Sequence, residues 1–132
     1  MAYVFNDGGK AATGRKGKSG DCVARAIAIA NGIDYEAVYD MLARLSAAQG
    51  GKRSARNGVE HVVSRAALAD LGWAWVPAPK FVGRKARCAD LAGKGTVIAK
   101  QAKHLVAVID GTPHDIFDSS TKMVYGYWIK ID

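Results

Sequence analysis

The stretch Gly20-Asp21-Cys22-Val23-Ala24-Arg25-Ala26-Ile27-Ala28-Ile29-Ala30 marks the point where a glycine-rich, basic loop becomes a helix. Apolar residues recur at helical spacing and form one face, at Val23, Ala26, Ile27 and Ala30. Asp21 is a suitable N-cap and Asn31-Gly32 is a typical stop signal, so Cys22 falls in the first turn. The unpaired N–H groups and the positive dipole end of such a turn favour the thiolate. The sequence therefore predicts a helix that carries a candidate nucleophile at its start.

A candidate base follows much later, because His104 opens the strand-like run 104–109. The turn signal Asp110-Gly111-Thr112-Pro113 separates this run from a second one, 114–117. If the turn is centred on Gly111, His104 lies opposite Asp118 and Val108 lies opposite His114. Paired residues share a face of the sheet, so Asp118 is expected to orient His104.

Two alternatives remain open at this hairpin. A register slip of one residue, or a bulge, would bring Asp115 to His104 in place of Asp118. His114 is a further possibility, as a group that supports His104 or as an alternative base. The catalytic prediction is thus Cys22, His104 and Asp118.

The rest of the chain predicts an α+β domain. Two more helices are expected, one capped by Asp34 and ending before Gly50, and one over 59–70 with Val62 and Val63 on its apolar side. A short strand is expected at 73–77, followed by a short helix at 88–91. The segments 96–99, 104–109, 114–117 and 123–131 are then expected to be successive antiparallel strands. Residues 1–20 are expected to be a glycine-rich, basic loop, and residues 1–132 one domain.

Length and composition limit the kinds of protein to which the chain can belong. The chain has 132 residues, 49% of them hydrophobic, which suffices for one core. No apolar run approaches a membrane span and the first residues do not resemble a signal peptide, so a cytoplasmic protein that does not bind membranes is expected. Cys22 and Cys88 are accordingly expected to be thiols, with Cys88 structural. Cysteine and histidine lack the short spacings of zinc sites, so neither a metal nor a cofactor is predicted.

The net charge of +7 allows a second class of function. Its lysines and arginines concentrate in three clusters, 10–18, 52–56 and 80–87. Such clusters can bind nucleic acid or an acidic protein surface. No recognised nucleic-acid motif accompanies them, so only weak, nonspecific nucleic-acid binding is predicted. The aromatic side chains that could stack on bases are expected to pack in the core instead, namely Trp73, Trp75, Tyr125, Tyr127 and Trp128.

The Asp-Cys dipeptide before an apolar helix, the His-led strand and the Asp after the next strand resemble the papain-like cysteine peptidases, and among them the domains that process bacteriocin leader peptides. Nearly the whole chain is similar to a family of small bacterial, phage and prophage proteins without an established activity. The motifs that carry this second resemblance are Phe5-Asn6-Asp7-Gly8-Gly9, Gly17-Lys18-Ser19-Gly20-Asp21-Cys22, Arg25-Ala26-Ile27-Ala28-Ile29-Ala30, Leu71-Gly72-Trp73, Lys103-His104-Leu105, Ile109-Asp110-Gly111, His114-Asp115 and Val124-Tyr125-Gly126-Tyr127-Trp128.

The resemblance implies a papain-like fold and a cysteine peptidase, or a related amide or isopeptide hydrolase, that acts on a peptide or protein in the bacterial host cytoplasm. Papain-like peptidases place a Gln six residues before the nucleophile, in the oxyanion hole, and this chain has Lys16 there. The backbone N–H of Cys22 is one remaining donor. The second donor is expected among Asn6, Lys16, Lys18 and Ser19. The alternative is a phage accessory or anti-defence protein that binds a host protein or nucleic acid through its basic loops, without catalysis.

Overall fold

Three helices and a six-stranded sheet form the part of the chain that the computed structural model describes, residues 3–13, 21–48 and 61–131. The α-helices are α1 (Cys22–Asn31), α2 (Tyr35–Ala48) and α3 (His61–Asp70). The strands are β1 (Val4–Phe5), β2 (Trp73–Pro77), β3 (Thr96–Gln101), β4 (His104–Ile109), β5 (Thr112–Asp115) and β6 (Gly126–Lys130). Two short 3₁₀ helices span Lys10–Thr13 and Cys88–Leu91. The predicted α+β class is confirmed, with a mainly antiparallel sheet.

The sheet separates two apolar clusters. Its strand order is β1-β5-β4-β3-β6-β2, with only the β1–β5 pair parallel. Alternating side chains of β3 and β6 face opposite sides, so Ile98 and Trp128 join the helices while Val97 and Tyr127 pack against the 3₁₀ helix around Cys88. Trp73, Tyr127 and Trp128 are thus core residues, as predicted. The prediction is wrong for Trp75, on the edge strand β2, and for Tyr125, just before β6, which are 40% and 49% exposed.

The helix boundaries agree with the sequence signals. Gly32 adopts the left-handed conformation after α1, with φ of 65°, and its N–H donates to the Ala28 carbonyl. Asp34 caps α2, since its carboxylate accepts from the Ala37 N–H at 3.3 Å. One expectation in α3 is wrong, because Val62 is exposed.

The strand order departs from a simple succession of neighbours. The last strand, β6, was expected beside the strand before it, but it lies between β3 and β2. The segment 1–20, expected to be a loop, contains β1 and the 3₁₀ helix Lys10–Thr13. The positions of β6 and β1 depend on pairing with strands that are distant in sequence, which a local sequence pattern does not predict.

The β4–β5 turn differs from its prediction by one residue. Ile109 pairs with Thr112, so the loop has only two residues, Asp110 and Gly111. Both have positive φ, 50° and 85°, as a type I′ turn requires. The turn is therefore centred between these residues rather than on Gly111, and Ala107, not Val108, lies opposite His114.

Replacing Gly111 by Ala should destabilise the fold. A Cβ at this position would lie 3.0–3.2 Å from atoms of Ala92 and would sit on a backbone with positive φ. The expected loss is about 1–3 kcal/mol in the free energy of unfolding, measured by urea denaturation. Gly93→Ala is the matched control, since Gly93 has φ of 83° with no atom within 4 Å of the added Cβ. Equal losses in the two variants would contradict the predicted Ala92 contact.

Candidate active site

The start of α1 is held by a buried group of charges around Asp21. The carboxylate of Asp21 forms an ion pair with Arg25, one turn further along α1, and accepts a hydrogen bond from the Tyr35 hydroxyl. The ammonium of Lys10 lies 3.1 Å from the same carboxylate. Within the described residues the Asp21 side chain makes no capping hydrogen bond to α1. The predicted N-cap position is correct, but the carboxylate binds cations from the side instead of capping the helix.

Arg25 connects this group to the sheet. While one guanidinium nitrogen pairs with Asp21, the other lies 3.7 Å from Oδ1 of Asp115 at the end of β5. All three side chains are nearly inaccessible to solvent. The positive charge of Arg25 therefore lies between two carboxylates and close to Cys22, whose pKa it helps to lower.

His104 meets Asp115 at the end of the sheet where β4 begins and β5 ends. The Nε2 atom of His104 lies 2.6 Å from Oδ2 of Asp115. Extending the observed register by one step places Asp115 opposite Val106, so His104 is its diagonal neighbour on the same face. The phenyl ring of Phe117 covers this pair, with 5.1 Å between the Phe117 and His104 ring centroids.

Two further hydrogen bonds fix the Asp115 carboxylate. The hydroxyl of Ser119 donates to Oδ2 at 3.0 Å, and the backbone N–H of Ile116 donates to Oδ1 at 2.8 Å. Oδ2 thus accepts from Ser119 while it contacts His104, which restricts rotation of the carboxylate. This arrangement holds the imidazole in one orientation.

The expectation that Asp118 orients His104 is wrong. Asp118 is exposed, and its carboxylate accepts from the N–H and the hydroxyl of Ser120 at 2.9 and 2.5 Å. The cause is the two-residue turn, because a shift of one residue in register exchanges the faces of all residues on β5. Asp115, the alternative in the sequence, takes the position beside His104.

The thiol of Cys22 lies against His104. It is hydrogen bonded to the imidazole and to the backbone of Leu105. Burial opposes ionisation of this half-buried thiol, but those hydrogen bonds and the charges of His104 and Arg25 outweigh it, so the pKa of Cys22 falls below 9.0. Since Nε2 of His104 contacts Asp115, the other ring nitrogen, Nδ1, is the one available to Cys22.

The pKa of His104 shifts in the opposite direction. Burial lowers it, but the hydrogen bonds to Asp115 and Cys22 prevail and hold it above 6.5. Burial likewise raises the pKa of Asp115, but its hydrogen bond to His104 and the further bonds from Ile116 and Ser119 bring it below 3.8. A lowered thiol pKa beside a raised imidazole pKa favours the thiolate–imidazolium pair.

The other predicted site residues lie elsewhere. Asn6 follows β1, accepts from the Gly8 N–H at 2.9 Å and has its amide nitrogen 3.4 Å from Nδ1 of His114. His114 lies opposite Ala107, on the face of the sheet away from His104 and Asp115, and is not placed as the base. Lys16, Lys18 and Ser19 lie outside the described residues.

Cys88 differs from Cys22 in its burial and in the direction of its pKa shift, and both properties govern the reactivity of a thiol. It is fully buried in the cluster under the sheet, 3.6 Å from the amide nitrogen of Gln101. Burial and the negative charges of Asp115 and Asp118 raise its pKa to about 11. Cys88 is accordingly a structural thiol, as the sequence suggested.

Two charges of the basic clusters are already engaged in ion pairs. Lys10, from the first cluster, is buried and paired with Asp21. Arg84, from the third cluster, forms a bidentate ion pair with Asp90 at 2.8 and 2.9 Å. Positions 14–18 and the whole 52–56 cluster lie outside the described residues.

Sequence reasoning missed most of the residues that support the site. Arg25 was recognisable, because residues four apart on a helix are neighbours. The contribution of Ser119 depends on how the loop after β5 folds back. Lys10 and Tyr35 reach Asp21 from separate elements, and neither is marked by a local motif.

The described parts of the chain, 3–13, 21–48 and 61–131, contain no group of three or more residues arranged to hold a metal ion. None of the helices in those parts is both long and apolar enough to cross a bilayer. Comparisons of the chain with protein-family models, curated proteins and solved structures found no match in any of the three. The geometry of the site therefore carries the functional argument.

Iodoacetamide should modify Cys22 much faster than Cys88. The reaction requires the thiolate, so its rate should rise with pH through a midpoint below 9.0, whereas Cys88 stays buried and protonated. Mass spectrometry of the alkylated peptides measures both rates. His104→Ala should raise the Cys22 midpoint because it removes the hydrogen bond to the sulfur. Equal labelling of both cysteines in the folded chain would contradict an activated thiol.

Asp21→Ala should cost about 3–5 kcal/mol in the free energy of unfolding, because it removes the buried carboxylate that pairs with both Lys10 and Arg25. Urea denaturation followed by circular dichroism measures the loss. Arg84→Ala is the control, since it removes an ion pair on an exposed side chain and should cost far less. A loss for Asp21→Ala no larger than that of the control would show that the buried group does not stabilise α1.

Proposed function

We propose that this protein is a cysteine hydrolase that cleaves amide or isopeptide bonds in a peptide or protein, with Cys22, His104 and Asp115 as its catalytic residues. The observation that supports it best is the chain of contacts from the Cys22 thiol through the His104 imidazole to the Asp115 carboxylate. Such a nucleophile–base–carboxylate series is the arrangement that activates a thiol for acyl transfer.

The reaction begins with the thiolate of Cys22. Its sulfur attacks the carbonyl carbon, a C–S bond forms and the carbonyl oxygen becomes an oxyanion. His104, protonated at Nδ1, then donates this proton to the nitrogen of the leaving amine as the C–N bond breaks. Water attacks the thioester next, with His104 as the base, and the C–S bond breaks to release the acid and regenerate Cys22.

Asp115 acts through the imidazole. Its contact with Nε2 keeps Nδ1 directed towards Cys22 and stabilises the imidazolium that exists between the two proton transfers. The hydrogen bonds from Ser119 and Ile116 hold the carboxylate in place for this task. No step requires a metal or an organic cofactor.

In this mechanism, the oxyanion that forms when Cys22 attacks the carbonyl carbon lies at the N-terminus of α1. The backbone N–H of Cys22 lies in the first turn, where the amides have no partner within the helix, and the helix dipole favours negative charge there. The second donor would come from the loop before Cys22, with Lys16, Lys18 and Ser19 as candidates. A nucleophile at the start of a helix, followed by an antiparallel sheet with the base at a strand start, is also the order of the papain-like hydrolases that the sequence resembles.

The alternative of a non-catalytic protein that binds through its basic loops has less support. Ion pairs engage Lys10 and Arg84, and a purely basic surface has no need of an imidazole between a thiol and a buried carboxylate. A host protein would then be a substrate of the proposed hydrolase.

Incubation with a peptide library derived from a bacterial proteome, followed by mass spectrometry, tests the activity. The wild-type chain should generate new peptide termini or release isopeptide-linked chains, and Cys22→Ala should abolish both. A library left unchanged by the wild-type chain, under conditions in which Cys22 reacts with iodoacetamide, would refute the hydrolase.

Asp115→Ala should lower kcat/KM on a cleaved peptide by on the order of 10²-fold, because the imidazole loses its orienting partner. Asp118→Ala, the matched control, removes an exposed carboxylate that contacts Ser120 and should leave kcat/KM nearly unchanged. The reverse result, with Asp118 essential, would show that the hairpin register in solution is the one first expected.

The pH dependence of kcat/KM should be bell-shaped. Activity is lost at low pH as the thiolate of Cys22 is protonated, and at high pH as the imidazolium of His104 loses its proton. The acid limb should lie below 9.0 and the alkaline limb above 6.5, because the pKa of Cys22 is lowered and that of His104 is raised. In Asp115→Asn the alkaline limb should move to lower pH, since the hydrogen bond that raises the His104 pKa is weakened.

A further inference from the structure

An open groove of about 350 Å³ lies beside the sheet and is lined by none of the catalytic residues. One wall is formed by 78–86, the segment after β2, and the other by 123–125, the segment before β6. We call it the distal groove. The side chains that characterise it are Lys80, Phe81, Arg84, Lys85, Met123 and Tyr125.

Large apolar side chains of the distal groove are open to solvent. Phe81, Met123 and Tyr125 are 37%, 39% and 49% exposed, and the neighbouring Val82 is fully exposed. Single exposed apolar residues are common on protein surfaces, but four around one concave site indicate a binding surface.

The distal groove opens at the same end of the sheet as the catalytic residues. His104, at the start of β4, pairs with Gln101 at the end of β3, and the preceding residue of β3, Lys100, pairs with Gly126 at the start of β6. The Tyr125 N–H donates to the Lys100 carbonyl at 2.8 Å. Two strand spacings therefore separate His104 from this wall, about 10 Å.

Phe117 and Lys122 connect the catalytic residues to the distal groove. Phe117 lies beside His104 and is 39% exposed. The ammonium of Lys122 lies 5.3 Å from the centre of the Phe117 ring, and Met123 follows directly in the distal groove. An extended chain bound at Cys22 can thus reach the distal groove past an exposed aromatic ring and a lysine.

The charge of the distal groove is positive. Lys80 and Lys85 line it, and the acidic residue close by, Asp90, already binds Arg84 through both of its carboxylate oxygens. Acidic side chains of a ligand would therefore be attracted to the two lysines. Stacking of nucleobases is disfavoured at Phe81, because the guanidinium of Arg84 covers a face of its ring at 3.8 Å.

We propose that the distal groove binds a segment of the polypeptide substrate that carries both apolar and acidic side chains. The proposal rests on the hydrolase function. An extended chain advances about 3.3–3.6 Å per residue, so the segment lies about three to four residues from the scissile bond. Phe81, Met123 and Tyr125 contact its apolar side chains, and Lys80 and Lys85 bind its carboxylates.

Fluorescence anisotropy on the Cys22→Ala chain tests the proposal without turnover. The probes are two labelled twelve-residue peptides of equal leucine, serine and glycine content, with glutamates in one at the positions of lysines in the other. The glutamate peptide should bind with a Kd about tenfold lower at low salt. Adding Lys80→Glu and Lys85→Glu should reverse this preference, and Phe81→Ser should weaken both peptides.

The control carries Arg44→Glu and Arg65→Glu, which make the same change in net charge at exposed positions on α2 and α3. It should retain the preference for the glutamate peptide. A preference that disappears equally in the control, or that survives in the Lys80 and Lys85 variant, overturns the proposal. So does a single-stranded oligonucleotide whose binding depends on Lys80 and Lys85 while the two peptides bind equally.

Iodoacetamide labelling of the wild-type chain separates this proposal from the hydrolase. A fast Cys22 with no peptide preference refutes the distal groove alone. A Cys22 as slow as Cys88, together with the predicted peptide preference, refutes the hydrolase and leaves a peptide-binding surface.

Discussion

The buried carboxylate of Asp21 is the constraint on which the site depends. Removing a carboxylate from water costs several kcal/mol unless cations and hydrogen-bond donors replace the solvent. Here they come from three separate elements, Lys10 from a 3₁₀ helix, Arg25 from α1 and Tyr35 from α2. Because none of these partners can move far without exposing a charge, the start of α1 is fixed relative to α2 and to the N-terminal segment. Cys22, the next residue, takes its position from this anchor.

The same charges explain how a thiol next to an aspartate can have a lowered pKa. An isolated Asp21 would oppose the thiolate of Cys22, but its charge is compensated by Lys10 and Arg25. Arg25 also approaches Asp115, so the buried group holds two carboxylates and two permanent cations. Proton transfer from Cys22 to His104 creates one negative and one positive charge inside this balanced environment. The transfer therefore leaves the net charge of the buried site unchanged, which favours an exchange between the two protonation forms.

The sequence was sufficient to single out Cys22 and His104 but not the carboxylate beside His104. A helix start at Cys22 follows from local signals, namely apolar spacing, an acidic residue before it and Gly32 after it. A strand start at His104 follows from the apolar run. The choice between Asp115 and Asp118 depends on whether the turn is centred on Gly111 or between Asp110 and Gly111. The Asp-Gly pair typical of a two-residue type I′ turn favoured the second possibility, and its strict geometry decides which aspartate faces His104.

Topology accounts for what the sequence could not reveal. In a simple succession of strands, β6 would lie beside β5 and the aromatic segment before it would border the catalytic residues directly. In the observed order, β3 and β4 separate β6 from β5, which sets that segment two strands away from His104 while keeping it at the same end of the sheet. The distance between His104 and the segment before β6 matches the length of a few extended residues, which is more than one side chain can span. In the proposed hydrolase, such a sheet would hold the scissile bond at one point and recognise the substrate at another, and the two functions could change independently because different strands carry them.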